Sequence, residues 1–153
     1  MKQLFVSLII LGSFLITVPS HAQMGYMQGR TATNMSRIRH QYVMRNGLDP
    51  RYASRINPLK ATSGNIKAGK QLYDQNCALC HGAAGLGNGA AGQNLNPPAT
   101  DIAAFSKTPM ATDGYLFWTI SEGGVPLGTA MPPFKNTLTE EDIWKIILYL
   151  RQL

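Results

Sequence analysis

The chain has 153 residues, a length that suits one domain with room for a targeting segment or tail. With 44% hydrophobic and 14% charged residues it is neither charge-rich disorder nor a membrane-saturated chain, and two cysteines exclude a disulfide framework. The net charge of +6 is concentrated in residues 23–63, which hold seven bases against one acid, whereas residues 64–153 hold six bases against seven acids.

At the N-terminus, Lys2 precedes an apolar run from Leu4 to Val18, followed by Pro19 and the small-residue site Ser20-His21-Ala22. This is the pattern of a secretory signal, residues 1–22, cleaved after Ala22 for export to the periplasm or beyond. The 15-residue run is interrupted by Ser7, Gly12, Ser13 and Thr17. It falls short of the roughly 20 apolar residues of a spanning helix.

Residues 23–63 mix Met, Arg, Asn, Gly and Ser without a sustained period, so they are expected to form a basic, flexible extension with no core of its own. A short helix over residues 35–45 would end at Asn46-Gly47, and Asn57-Pro58 marks a turn or linker. The bases suit an acidic partner surface or anionic lipid headgroups, or simply a solvated tether. Met24, Met27, Met35, His40 and Met44 offer soft-metal donors, but at irregular spacing. Nucleic acid is not an expected partner of an exported chain.

The compact domain is expected over residues 64–153, with three main helices. The first starts at an Asn65 cap and brings Ile66, Gly69, Leu72, Tyr73 and Asn76 to one side before Cys77. The second covers residues 113–121 and stops at Gly123-Gly124. The third is capped by Thr139, with Glu140, Glu141 and Asp142 in its first turn, a Leu138/Ile143 staple, and a stripe of Ile143, Ile146, Ile147 and Leu150 flanked by Trp144 and Tyr149. No segment alternates as a strand. The predicted fold is all-α with long loops, and so small a domain needs a staple around which to wrap.

Cys77-Ala78-Leu79-Cys80-His81 is the C-x-x-C-H pattern of haem attachment. Two thiols at a helix end each add to a porphyrin vinyl group, and the next residue falls beneath the iron as an imidazole ligand. A thioredoxin-like pair would need a preceding strand, and a zinc site needs four ligands where no second cysteine pair is present. Opposite His81 the candidates are Met110 and Met131, and Met131 is favoured. It lies in Gly128-Thr129-Ala130-Met131-Pro132-Pro133, where prolines stiffen the loop, whereas Met110 next to the second helix suits a gap-filling core position.

From residue 65 to 153 the sequence resembles the class I c-type cytochromes in their bacterial single-haem form. The resemblance rests on Gly69-x-x-x-Tyr73, Cys77 to His81, Asn96-Pro97-Pro98, Gly128-x-x-Met131-Pro132 and a last helix through Trp144 and Tyr149-Leu150-Arg151. It implies the small cytochrome c fold around one covalent haem c, with the first and last helices crossing at Gly69 and Tyr149 or Ile146 covering it. It also implies that a proline carbonyl, of Pro97 or Pro98, orients His81. Trp118 has two readings, haem edge or core. The domain lacks the strongly basic face of mitochondrial cytochrome c.

The expected function is one-electron transfer between redox partner proteins by a His81/Met131-ligated haem, not catalysis. Two alternatives remain open. One is a haem subunit of a larger dehydrogenase or oxidase complex; the other is a five-coordinate peroxidase or gas-binding haem, should Met131 not be a ligand.

Overall fold

The computed structural model describes residues 37–153, which are helix and loop with no strand among them. The expected signal sequence, Met24, Met27 and Met35 lie outside the described residues. Helix α1 covers residues 37–46 and stops at Gly47, whose φ of +76° suits glycine. Helix α2 (Pro50–Ala53) opens with proline behind Asp49, whose carboxylate accepts from the Arg51 N–H.

Helix α3 (Ser63–Asn76) is capped by Thr62 rather than by Asn65, and the Thr62 hydroxyl accepts from the Asn65 N–H at 3.2 Å. Cys77 ends α3 and begins the single turn α4 (Ala78–His81). Helix α5 (Ile102–Phe105) is capped by Asp101, and α6 (Asp113–Glu122) by Thr112. Helix α7 (Glu140–Leu150) carries the expected start: Thr139 and Asp142 close a reciprocal capping box. Single 3-10 turns at Gly92–Asn94 and Val125–Leu127 sit in the loops.

The centre of the fold is the crossing of α3 and α7. A Cβ at Gly69 would overlap the Lys145 carbonyl oxygen and lie 3.2 Å from the Ile146 nitrogen. The glycine is therefore covered by the α7 backbone, not by the Ile146 or Tyr149 side chain. Beside this contact Tyr73 packs on Tyr149, with ring centres 5.2 Å apart. Ile143, Ile146, Ile147 and Leu150 are buried as the stripe requires, but Trp144 and Tyr149, expected on its flanks, are buried too. Trp144 meets Phe117 of α6 at 4.3 Å, which explains why α7 is apolar on more than one side.

Residues 37–62 do not behave as the expected flexible extension. Tyr52 belongs to the core, and Tyr42, Val43, Leu48 and Leu59 pack against it. Arg39 Nη2 donates to the Gly123 carbonyl at 2.9 Å, Tyr52 Oη to Glu122 at 2.6 Å, and Asn57 Nδ2 to the Trp144 carbonyl at 3.0 Å. These side chains are too irregularly spaced to make a core, yet each fits a separate place on the one that α6 and α7 provide. Among the described residues no helix is long and apolar enough to cross a membrane.

Candidate functional site

The α3–α7 crossing fixes where α3 ends, and so where the two cysteines begin. The Cys77 N–H donates to the Tyr73 carbonyl at 2.8 Å, and the N–H groups of Cys80 and His81 then both turn back to the Cys77 carbonyl at 3.2 and 2.9 Å. Tyr73 Oη anchors the far side of this turn by donating to the Gly82 carbonyl at 2.7 Å. Gly82 has a φ of +78°, a conformation that lets the chain leave immediately after His81. The following loop folds back over the turn, with Gly87 N–H on the His81 carbonyl and Ala91 N–H on the Leu79 carbonyl at 2.8 and 3.1 Å.

Cys77 and Cys80 are unpaired and partly buried. Burial pushes the Cys77 thiol up to about 12, the opposite of what a thiol–disulfide redox centre requires. Among the described residues no three His, Cys, Asp or Glu side chains converge as a metal cage. The raised Cys77 thiol disfavours the thioredoxin reading of the same motif.

His81 Nδ1 lies 3.0 Å from the Thr100 carbonyl oxygen. A carbonyl only accepts, so Nδ1 carries the hydrogen and Nε2 of the neutral ring is left as a lone-pair donor. Burial lowers the His81 pKa, the Thr100 contact opposes this, and the Arg39 charge adds to the lowering; the net effect keeps the imidazole neutral. The orienting carbonyl is therefore that of Thr100, not of Pro97 or Pro98. The Ala99 N–H is tied to the Gly92 carbonyl at 3.2 Å and the Asp101 side chain caps α5, and between these anchors it is residue 100 that faces the ring. Pro97 and Pro98 are partly buried and stand just upstream of that pinned segment.

Met131 is partly buried in a loop held on the C-terminal end of α6. Gly124 N–H donates to the Met131 carbonyl at 2.8 Å and Phe134 N–H to the Ile120 carbonyl at 3.1 Å. Met110 is 37% exposed between α5 and α6. Trp118 is buried in the core cluster, with Tyr42 stacked on it at 6.0 Å, Tyr115 edge-on at 5.9 Å, and the Arg39 guanidinium 5.0 Å from its ring centre.

Two groups near this site escape sequence reading. Among the described residues, Arg39 Nη1 and Tyr115 Oη are buried and have no hydrogen-bond partner. Polar atoms in that state call for a ligand that brings acceptors. Paired thiols, an imidazole with a free ring nitrogen and unsatisfied donors form a set that fits a haem with its carboxylates. Nothing distinguishes Arg39 from the other bases of its segment in the sequence, and the Thr100 carbonyl, as backbone, leaves no mark there at all.

Residues 64–150 match the family described as cytochrome c oxidase, cbb3-type, subunit III. Cytochrome c-554(547) of Halothiobacillus neapolitanus is 33% identical over 96 residues, which cover 60% of this chain and 99% of that protein. The chain belongs to the c-type cytochromes. It is an electron-transfer protein of the small all-α cytochrome c fold, and the family implies haem c. Quinohemoprotein alcohol dehydrogenase ADH IIB of Pseudomonas putida is 31% identical over 94 residues, 61% of this chain but only 12% of that enzyme. The cytochrome thus corresponds to a small fraction of the dehydrogenase.

Proposed function

We propose that this cytochrome is an exported one-electron carrier whose single haem is attached through Cys77 and Cys80 and ligated by His81 and Met131. The observation that carries the reading is the His81–Thr100 contact, because it leaves Nε2 available directly after a pair of unpaired thiols. Bound there, haem c supplies a one-electron ferric/ferrous couple. The chain's own contribution is to hold the two ligands and exclude water. Met131, on a loop tied to α6, offers a weakly donating thioether, which together with dry surroundings favours the reduced iron and a positive potential. Export rests on the pattern of Lys2, the apolar run and Ser20-His21-Ala22.

The test is a mass measurement and a pair of spectra on protein made in a cell competent for cytochrome assembly. The expected result is a chain starting at Gln23, heavier by one haem, with the weak long-wavelength band of Met-to-iron ligation in the oxidised form. Met131→Ala should abolish that band and admit carbon monoxide rapidly to the ferrous protein. A bare polypeptide mass sinks the reading; an untreated wild type that binds carbon monoxide rapidly points to the five-coordinate alternative. The dehydrogenase relative favours a second reading, a haem subunit of a larger oxidoreductase. Copurification with a partner at fixed stoichiometry would establish it.

A further inference from the structure

Arg39 is 91% buried by its 9% relative exposure, which is a costly position for a permanent cation. Buried charges of this kind are normally paired. The chain has eight acids, the first of them Asp49, so all lie within the described residues, and seven ion pairs are formed there. None of them involves Arg39. Its guanidinium donates through Nη2 to the Gly123 carbonyl at 2.9 Å and leaves Nη1 buried and, among the described residues, unmatched.

The position of this unmatched donor is informative. Gly123 adjoins Gly124, which holds the Met131 carbonyl, so one side of Arg39 reaches the Met131 loop. Its plane lies over Trp118, and its charge is felt at His81 and at Tyr115, whose own hydroxyl is also unmatched. Arg39 therefore reaches the Met131 loop through Gly123 and lies close enough for its charge to act on His81. It comes from α1, upstream of the segment that matches the family.

We propose that Arg39 is the counter-ion of a haem carboxylate, its Nη1 donating to a propionate oxygen with Tyr115 Oη as a second donor, so that helix α1 is a wall of the haem site. This rests on the reading that haem c is bound at Cys77, Cys80 and His81. A fork-shaped, always charged donor suits a carboxylate better than any other side chain. The desolvation that pulls the Arg39 pKa down to about 10 is offset once such an anion is present.

The experiment compares wild type, Arg39→Gln and Arg39→Lys as haem-loaded full-length proteins, by pyridine haemochrome content, reduction potential, and the propionate-bending band in resonance Raman spectra. Arg39→Gln should retain one haem per chain, with the propionate band displaced. Its reduction equilibrium should shift about tenfold toward the ferric form, equivalent to about 59 mV for one electron. Arg39→Lys should recover part of both changes. If Arg39→Gln holds its haem and neither band nor potential moves, the inference is overturned while the haem reading stands. If the wild type lacks haem, the haem reading itself fails, and the inference with it. Should Arg39→Gln not accumulate, a haem-bound structure of the wild type decides: a guanidinium-to-carboxylate distance of about 2.7–2.9 Å supports the pairing, and no direct contact overturns it.

Discussion

The two sides of this small domain are built to different standards of completeness. At the α3–α7 crossing, backbone meets backbone at Gly69, aromatic rings meet at Tyr73 and Tyr149, and the apolar residues of α7 are fully covered. On the other side, where α1, α6 and the Met131 loop come together, Arg39 Nη1, Tyr115 Oη, Thr119 Oγ1, Ser121 Oγ and Thr129 Oγ1 are buried without partners among the described residues. One half is finished by the polypeptide alone. The other holds donors and hydroxyls that the described residues leave unmatched, and the proposed haem contacts fall on this second face.

The comparison can be broken most forcefully at Gly69. Gly69→Val drives a branched side chain into the Lys145 carbonyl, and a loss of about 3 kcal/mol is expected, at the upper end of ordinary overpacking. Denaturant midpoints of the haem-loaded protein would measure it, and a near-neutral result would show that the crossing is not the finished half. Next in size is Tyr73→Phe, which takes away one of the two donors to the Gly82 carbonyl, leaving the Gly85 N–H, and should cost about 1–1.5 kcal/mol. Because that bond joins the crossing to the attachment turn, the visible spectrum should change along with the midpoint. Thr139→Ala removes the side-chain half of the capping box, leaving the backbone N–H of residue 139 on Asp142, and should cost about 1 kcal/mol with the spectrum unaltered.

The smallest effect concerns acid. Hydrogen bonds from Lys135 and then Tyr52 hold the Glu122 carboxyl below its ordinary value. A folded-state pKa that is depressed contributes stability above the unfolded value of about 4.3, and that contribution fades as pH falls through the lower folded value. Residues 37–62 should therefore loosen from α6 in mild acid before the crossing melts, as seen by hydrogen exchange at Tyr52 against Ile146. In Glu122→Gln the acid dependence of Tyr52 protection should flatten.

Much of this arrangement is legible in the sequence, and the boundaries of that legibility are physical. Helix α6 announces itself through its apolar residues and the Gly123-Gly124 stop, α7 through the Thr139 cap and apolar periodicity, and Cys77, Cys80 and His81 through their spacing. The start of α3 is misread by three residues because Thr62 and Asn65 are both good caps, and Ser63-Gly64 looks like loop although it forms the first turn. The docking of Tyr42, Leu48 and Tyr52 is invisible because each contacts a different part of the core, so no period links them. His81's acceptor is missed for another reason: a main-chain carbonyl is common to every residue, and only the path of the loop selects Thr100.

The docked segment also alters how the protein's electrostatics are perceived from a distance. Of the seven bases in residues 23–63, Arg51 and Arg55 are neutralised by Asp49 and Glu140, and Arg39 is sealed inside. A docking molecule therefore meets over this segment a weaker, patchier positive potential than its seven bases alone imply, and ionic-strength effects on its encounter rate should be correspondingly shallow.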